Sequence, residues 1–153
     1  MLPTKLNVSK AITNDAQILA QFNIAMARET EDLKLDLPTV LAGVHEVLEE
    51  TAHGFYLVAR LAGKVVGALM ITYEWSDWRN GRLWWIQSVY VLPQWRSQGV
   101  FRALYQHVNK LAQQTPDTRG IRLYVEKDNH TAQAVYHNLG MSQTAYRVFE
   151  TTF

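Results

Sequence analysis

Apolar positions along this chain follow two rhythms, every second residue in some stretches and every third or fourth in others, and the switches between them outline the fold. Leu6 to Ile12 reads as a short first strand. Asn14 or Asp15 then caps a helix in which Ile18, Phe22 and Ala25 fall at helical spacing. Glu29 to Asp36 is acidic and expected to be irregular, and Pro38 starts a second helix with Val40, Val44 and Val47 on one face. Gly54–Leu61 and Lys64–Tyr73 are β-rich runs separated by Ala62-Gly63, the pattern of a hairpin. The polar run Glu74–Arg82, with a turn signal at Asn80-Gly81, is expected to be a loop, and Leu83–Leu92 a strand buried on both faces. A helix from about Gln98 to Gln113 carries Val100, Leu104, Val108 and Leu111 along one side. Ile121, Leu123 and Val125 alternate with polar or amphipathic neighbours, as in a half-buried strand. Asp128 or Asn129 caps a last helix that Gly140 stops, and Tyr146–Phe153 completes the list as a final strand.

The order β-α-α-β-β-β-α-β-α-β predicts an α/β (α+β) fold. The unit from Leu83 to Glu126 forms a crossover between parallel strands, expected to be right-handed. With 153 residues, no repeat and no linker-like tract, a single domain with a real core is expected. A net charge of +1 with dispersed basic residues argues against nucleic-acid binding. The absence of cysteine excludes disulfides and cysteine nucleophiles. No apolar run reaches the roughly 18–20 residues that span a bilayer, and the first residues lack a signal-peptide core, so no membrane association and a cytoplasmic location are expected. The five histidines show no metal-ligand spacing.

Candidate chemistry concentrates between Trp85 and Val108. An apolar strand ends at Pro93, and Arg96-Ser97-Gln98-Gly99 opens an amphipathic helix. That layout gathers unpaired backbone N–H groups, the positive end of a helix dipole, Arg96 and Arg102, which together suit a phosphate or pyrophosphate. Ligands of such sheets sit beyond the carboxyl ends of the strands, where Glu126 to Asn129 also falls.

The segment Val91-Leu-Pro-Gln-Trp-Arg96-Ser97-Gln98-Gly99-Val100-Phe101-Arg102-Ala-Leu104 resembles the acetyl-CoA signature of the GNAT superfamily of N-acetyltransferases. Asn129-x-x-Ala132-x-x-x-Tyr136-x-x-x-Gly140-Met141 resembles that family's second motif. The resemblance covers nearly the whole chain and implies the GNAT fold, a mixed and mostly antiparallel sheet with one parallel crossover and helices on both faces. It implies acetyl-CoA as the acyl donor and a small-molecule or peptide amine as the acceptor. Backbone groups of Val89, Tyr90 and Val91 would pair with the pantetheine arm. The loop Arg96, Ser97, Gln98, Gly99, Val100, Phe101 and Arg102 would hold the pyrophosphate. Asn129 would contact the cofactor, and Tyr136 would protonate the departing thiolate. A phenol with a reference pKa of about 10 keeps its proton at neutral pH and is chemically apt for that step.

Phe101 stands where the family usually carries Gly or Ala, so its ring must turn into the core or alter the phosphate loop. Gln87 and Ser88 occupy the strand position where many relatives place a glutamate base. Glu74, Asp77 and Glu126 are then the nearest carboxylates in sequence, and Glu74 is taken as the catalytic candidate. The tryptophan loop from Glu74 to Arg79 offers carboxylates beside aromatic faces, suited to an ammonium acceptor or equally to structural packing. Glu29, Glu31 and Asp32 occupy a segment that borders the acceptor in the family, or form a solvated acidic turn. Two further readings stay open: a module that binds acyl-CoA without chemistry, and an interaction domain built on the tryptophan loop. A homodimer is also open.

Overall fold

A five-stranded sheet in the order β1-β2-β3-β4-β5 carries the molecule. The computed structural model describes residues 5–153. The elements are β1 (Asn7–Lys10), α1 (Ala16–Glu31), α2 (Leu37–Glu49), β2 (Gly54–Leu61), β3 (Lys64–Ser76), β4 (Gly81–Val91), α3 (Val100–Gln114), β5 (Thr118–Leu123) and α4 (His130–Asn138). Strands β1 to β4 pair antiparallel, and β5 joins β4 in parallel. This is the mixed sheet with one parallel crossover expected from the order of elements.

Period-two alternation sends neighbouring strand residues to opposite faces. Leu57, Ala59, Ile71, Trp84 and Ile86 meet Val100, Leu104 and Val108 of α3 on one face, whereas Tyr56, Val58, Ala68 and Tyr90 meet Ala16, Leu19, Phe22 and Val44 of α1 and α2 on the other. Helix α3 shows why its sequence is helical here. Val100, Leu104, Val108 and Ala112 recur every fourth residue and are buried, while Arg102, Gln106 and Lys110 face solvent. Fully burying a side chain such as Leu104 is worth about 1.5–3 kcal/mol. Helix α2 starts as predicted near Pro38, with Asp36 accepting from the Thr39 N–H at 3.1 Å. Asp15 precedes α1 at the capping position, but its carboxylate accepts instead from the Ile12 N–H at 2.9 Å and from Arg60 at 2.6 Å.

Several expectations are corrected. Tyr146–Phe153 is not a strand: no ladder forms there, and the backbone from Ser142 onward makes no hydrogen bond with the rest of the described chain. A β-prone sequence becomes a strand only when its backbone pairs with a neighbour, and here that pairing is absent although Tyr146 passes 5.7 Å from the Arg122 guanidinium of β5. The run Glu74–Ser76 belongs to β3 rather than to a loop, because the β3–β4 ladder continues to the pair Ser76–Gly81 and leaves only residues 77–80 as the turn. Helix α1 runs on through Glu31 and ends where Asp32 turns left-handed at φ 49°. Strand β4 is not buried on both faces, for Trp84 and Ile86 are covered while Trp85 and Gln87 stay partly exposed.

Candidate functional site

The site begins with a fault in β4. Ala68 pairs with Tyr90 and Met70 with Gln87, so Ser88 and Val89 together oppose the single residue Leu69. This is a β-bulge, and Ser88 takes the left-handed φ of 53° that a bulged non-glycine residue rarely adopts. On its other side β4 pairs with β5 only from Arg82 to Ile86, the last partner being Leu123. Gln87 to Val91 therefore presents a free strand edge facing an open cleft. Because the Leu92 N–H bonds the Val66 carbonyl on the β3 side at 2.9 Å, alternation along an antiparallel ladder turns Val89 and Val91 toward that cleft.

The free edge leads straight to the start of α3. Pro93–Trp95 forms a short 3-10 turn, and Ser97 and Gly99 adopt left-handed φ values of 61° and 86°. Gly99 is the residue before the helix, and a Cβ there would meet nothing, so the space over the loop is open. The N–H groups of Ser97, Gln98 and Gly99 find no partner in the described chain. Those of Val100, Phe101 and Arg102 lie in the first helical turn, where the helix itself supplies none. The first backbone bond is Ala103 to the Gly99 carbonyl at 3.0 Å. A continuous run of donors at the positive end of α3 thus faces outward.

The two arginines of this loop divide the work. Arg96 is committed to the protein: its Nε donates to the Val91 carbonyl at 2.9 Å and its Nη2 to Glu29 at 2.8 Å. Glu29 also accepts from the Tyr90 hydroxyl at 2.9 Å. These bonds, the Arg96 guanidinium first and then Tyr90, hold the Glu29 carboxyl below the usual carboxylate range. Burial and the adjoining Glu29 carboxylate push the Tyr90 phenol up. Arg102 is exposed and makes no hydrogen bond among the described residues, which leaves it available to an anion.

Phe101 turns its ring away from the loop and sets it edge-on to Tyr136 at 5.8 Å between centroids. The two candidate motifs are thereby brought together across the mouth of the cleft. Tyr136 is partly buried, and burial raises its phenol above the ordinary value; no hydrogen bond occupies its hydroxyl among the described residues. The Asn129 side-chain oxygen is used to cap α4, accepting from the Ala132 N–H at 3.1 Å, so only its amide NH2 is free.

Gln87 donates to Thr72 Oγ1 at 2.6 Å, and Glu74 accepts from Trp85 Nε1 at 2.7 Å with Arg122 at 3.4 Å. Trp85 stacks on Tyr124 at 4.5 Å. These residues form a polar-aromatic strip on the partly exposed face of β3 and β4. Glu74 sits opposite Leu83, four positions from Gln87 and so about 13 Å along the strand at roughly 3.3 Å per residue. A small surface pocket beside it includes Asp77, Trp78, Arg79 and Tyr146. No cluster of metal-ligating side chains occurs among the described residues, and none of their helices is long and apolar enough to cross a membrane.

Two positioning residues are visible only in three dimensions. A Cβ on Gly67 would stand 2.8 Å from Val100 Cγ1 and 3.3 Å from the Tyr90 carbonyl, so the bare backbone of β3 lets the start of α3 sit close to the sheet. Ser88 makes the bulge. Neither carries a sequence signal beyond a glycine in a strand, which marks close approach.

The comparisons identify the family and the fold. The model of the acetyltransferase (GNAT) family matches residues 20–141, and the chain belongs to that family. A possible acetyltransferase from Clostridium difficile 630 is 38% identical, with 97% of each chain covered and a TM-score of 0.90. Two more distant structures share the fold. One is the ribosomal-protein-alanine N-acetyltransferase from Brucella melitensis biovar Abortus 2308, at 15% identity over 97% of this chain and 99% of that one, TM-score 0.78. The other is AAC(6')-Iy in complex with a bisubstrate analogue, CoA-S-monomethyl-acetylneamine, at 16% identity over 98% and 99%, TM-score 0.79. No curated protein matches the chain. Acetyl transfer is thus the activity of its class, and the acceptor is a separate question.

Proposed function

We propose that this protein transfers the acetyl group of acetyl-CoA to a primary amine by direct attack within a ternary complex. The observation that carries the reading is the continuity of the free β4 edge, Gln87 to Val91, with the outward-facing N–H groups from Ser97 to Arg102. The edge suits the amide-bearing pantetheine arm as an added strand, with Val89 and the Val91 N–H pairing to it while Arg96 holds the Val91 carbonyl. The helix start suits the pyrophosphate, with Arg102 adding a charge-assisted bond of about 1.5–3 kcal/mol. The free NH2 of Asn129 is assigned to the cofactor.

The chain has no cysteine to carry an acetyl group, which favours direct transfer. Tyr136 supplies the proton to the departing thiolate, its raised phenol value keeping it protonated at neutral pH. A β4 backbone N–H at the cleft polarises the thioester carbonyl. Gln87 cannot take a proton, so Glu74 is assigned the proton released by the acceptor, held in place by Trp85 Nε1 and Arg122.

Calorimetric titration with acetyl-CoA, repeated on Gly99→Asp, tests the reading. A Cβ at position 99 meets nothing within 4 Å but is strained by the φ of +86°, so a circular dichroism spectrum matching the parent's is required to show that the variant folds with its carboxylate at the anion seat. At least a tenfold loss of affinity is expected, about 1.4 kcal/mol; undiminished binding overturns the phosphate site. Thiol release across a panel of amines then separates an enzyme from a module that binds acyl-CoA without chemistry.

A further inference from the structure

Strand alternation sorts β5 into two faces. Ile121 and Leu123 pack into the core beneath α3, so Arg122 and Tyr124 turn to the opposite face, where they meet Glu74 and Trp85. Arg122 is the cation of this strip, and most of its donors are unspent. Its side chain is only 24% exposed, yet both of its hydrogen bonds run from Nη1 to Glu74, at 3.5 and 3.4 Å. A well-formed guanidinium–carboxylate bond measures about 2.7–2.9 Å. Arg60 meets Asp15 at 2.6 Å and Arg96 meets Glu29 at 2.8 Å, so the Arg122 pair is loose by the standard of this molecule.

Nε and Nη2 of Arg122 make no hydrogen bond among the described residues. Those two nitrogens form the side of a guanidinium that grips a planar carboxylate with parallel bonds. Glu74 already offsets part of the charge, so what remains balances one negative charge. A carboxylate carries that much, and a phosphate monoester exceeds it at pH 7.

From this seat the strip leads towards the open β4 edge. Trp85 lies level with Arg122 in the β4–β5 ladder, and its ring stacks on Tyr124 at 4.5 Å. Tyr124 is 58% exposed, so the pair offers an apolar platform. Two residues along β4, Gln87 gives its NH2 to Thr72 Oγ1, which leaves its side-chain oxygen unbonded among the described residues. That neutral oxygen accepts an N–H from an amine without the negative charge that would hold the amine protonated. The bulge at Ser88 follows at once. Trp85 and Ser88 are three residues apart, about 10 Å at roughly 3.3 Å per residue, which suits an amine and a carboxylate joined by about five methylenes.

Building on the proposed acetyl transfer, we infer that the acceptor is an amine bearing a carboxylate at its far end. The carboxylate takes Nε and Nη2 of Arg122, the chain lies over Trp85 and Tyr124, and the amine sits at Gln87. Glu74 keeps its contacts to Arg122 Nη1 and Trp85 Nε1. In the transfer the amine nitrogen bonds the acetyl carbon as the carbon–sulfur bond breaks. The sulfur takes the Tyr136 proton, and Glu74 takes the proton that the amine releases.

Initial rates with three amines of matched length test the inference, together with calorimetric titration of 6-aminohexanoate into the protein loaded with coenzyme A. 6-Aminohexanoate is expected to exceed hexylamine at least tenfold in kcat/KM, and 1,6-diaminohexane by more. Arg122→Gln is expected to bring the ratio of 6-aminohexanoate to hexylamine close to one. A disturbance of Glu74 acts on all three amines alike and leaves that ratio unmoved. Equal use of the three amines, or preference for the diamine, overturns the inference and leaves acetyl transfer standing. A preference for 6-aminohexanoate that survives Arg122→Gln overturns it as well. Binding of 6-aminohexanoate that Arg122→Gln abolishes, with no amine acetylated, upholds the carboxylate seat and removes the transfer reading instead. Neither binding nor turnover overturns both.

Discussion

Arg96 reaches across the end of β4 to Glu29 at the last turn of α1, with 2.8 Å between Nη2 and Oε2. The same guanidinium holds the Val91 carbonyl, so this arginine braces the strand end against a helix from the other face of the sheet. Its place in the sequence suggests a phosphate ligand; within the chain its bonds run to Val91 and Glu29.

The brace has a defined pH dependence. Because the Glu29 carboxyl is held below its ordinary value by Arg96 and Tyr90, the stabilisation is complete above the unfolded carboxylate pKa of about 4.3 and is lost as pH falls through the folded value beneath it. Both partners are largely solvent-exposed, so Glu29→Gln should lower stability by only about 0.2–1 kcal/mol. Thermal melts of the two proteins are expected to differ by a constant amount from pH 5 to 8 and to converge below about pH 4. A gap that widens in acid contradicts the assignment.

Gly67 is expected to control the cofactor from a distance. Gly67→Ala places a methyl 2.8 Å from Val100 Cγ1 and so pushes on the first residue of α3. Overpacking of this kind costs typically about 1–3 kcal/mol. Chemical denaturation should show that loss, and acetyl-CoA affinity should fall with it although position 67 touches no ligand. Full affinity in a destabilised variant would uncouple the packing from the site.

Tyr136→Phe keeps the ring against Phe101 and removes only the hydroxyl. General acid catalysis contributes about 10²–10⁴-fold, so kcat should fall by at least a hundredfold with acetyl-CoA affinity retained. In the native protein the proton is held more tightly than in a free phenol, whose pKa is about 10. The rate should therefore not decline between pH 7 and 9.5 on its account. An alkaline limb below pH 9 that vanishes in the Phe variant would contradict that direction.

The sequence made the larger elements and the open loop before α3 readable because each rests on local rules. The four-residue burial period of α3, the Pro93 stop, Gly99 before the helix and Gly140 after α4 are all set by neighbours in the chain. What escaped depends on partners far away in sequence. The extension of β3 to Ser76 is dictated by pairing with β4, which polar Glu74 and Ser76 do not announce. Glu29 looks like part of an acidic turn until α1 delivers it to Arg96, 67 positions on. The tail from Tyr146 has the composition of a strand and lacks the backbone pairing that would make it one.

The bulge at Ser88 has a further meaning. It opens the cleft with main-chain atoms, which every residue type possesses, rather than with particular side chains. On the proposed reading, substitution of lining side chains changes which acceptor fits while the backbone edge offered to the cofactor stays the same. Structures only 15–19% identical to this chain share its fold at TM-scores of 0.78–0.84. The Ser88 kink in this sense divides the strand: up to Ile86 the β4 backbone is paired on both sides, and beyond the kink one edge is left open.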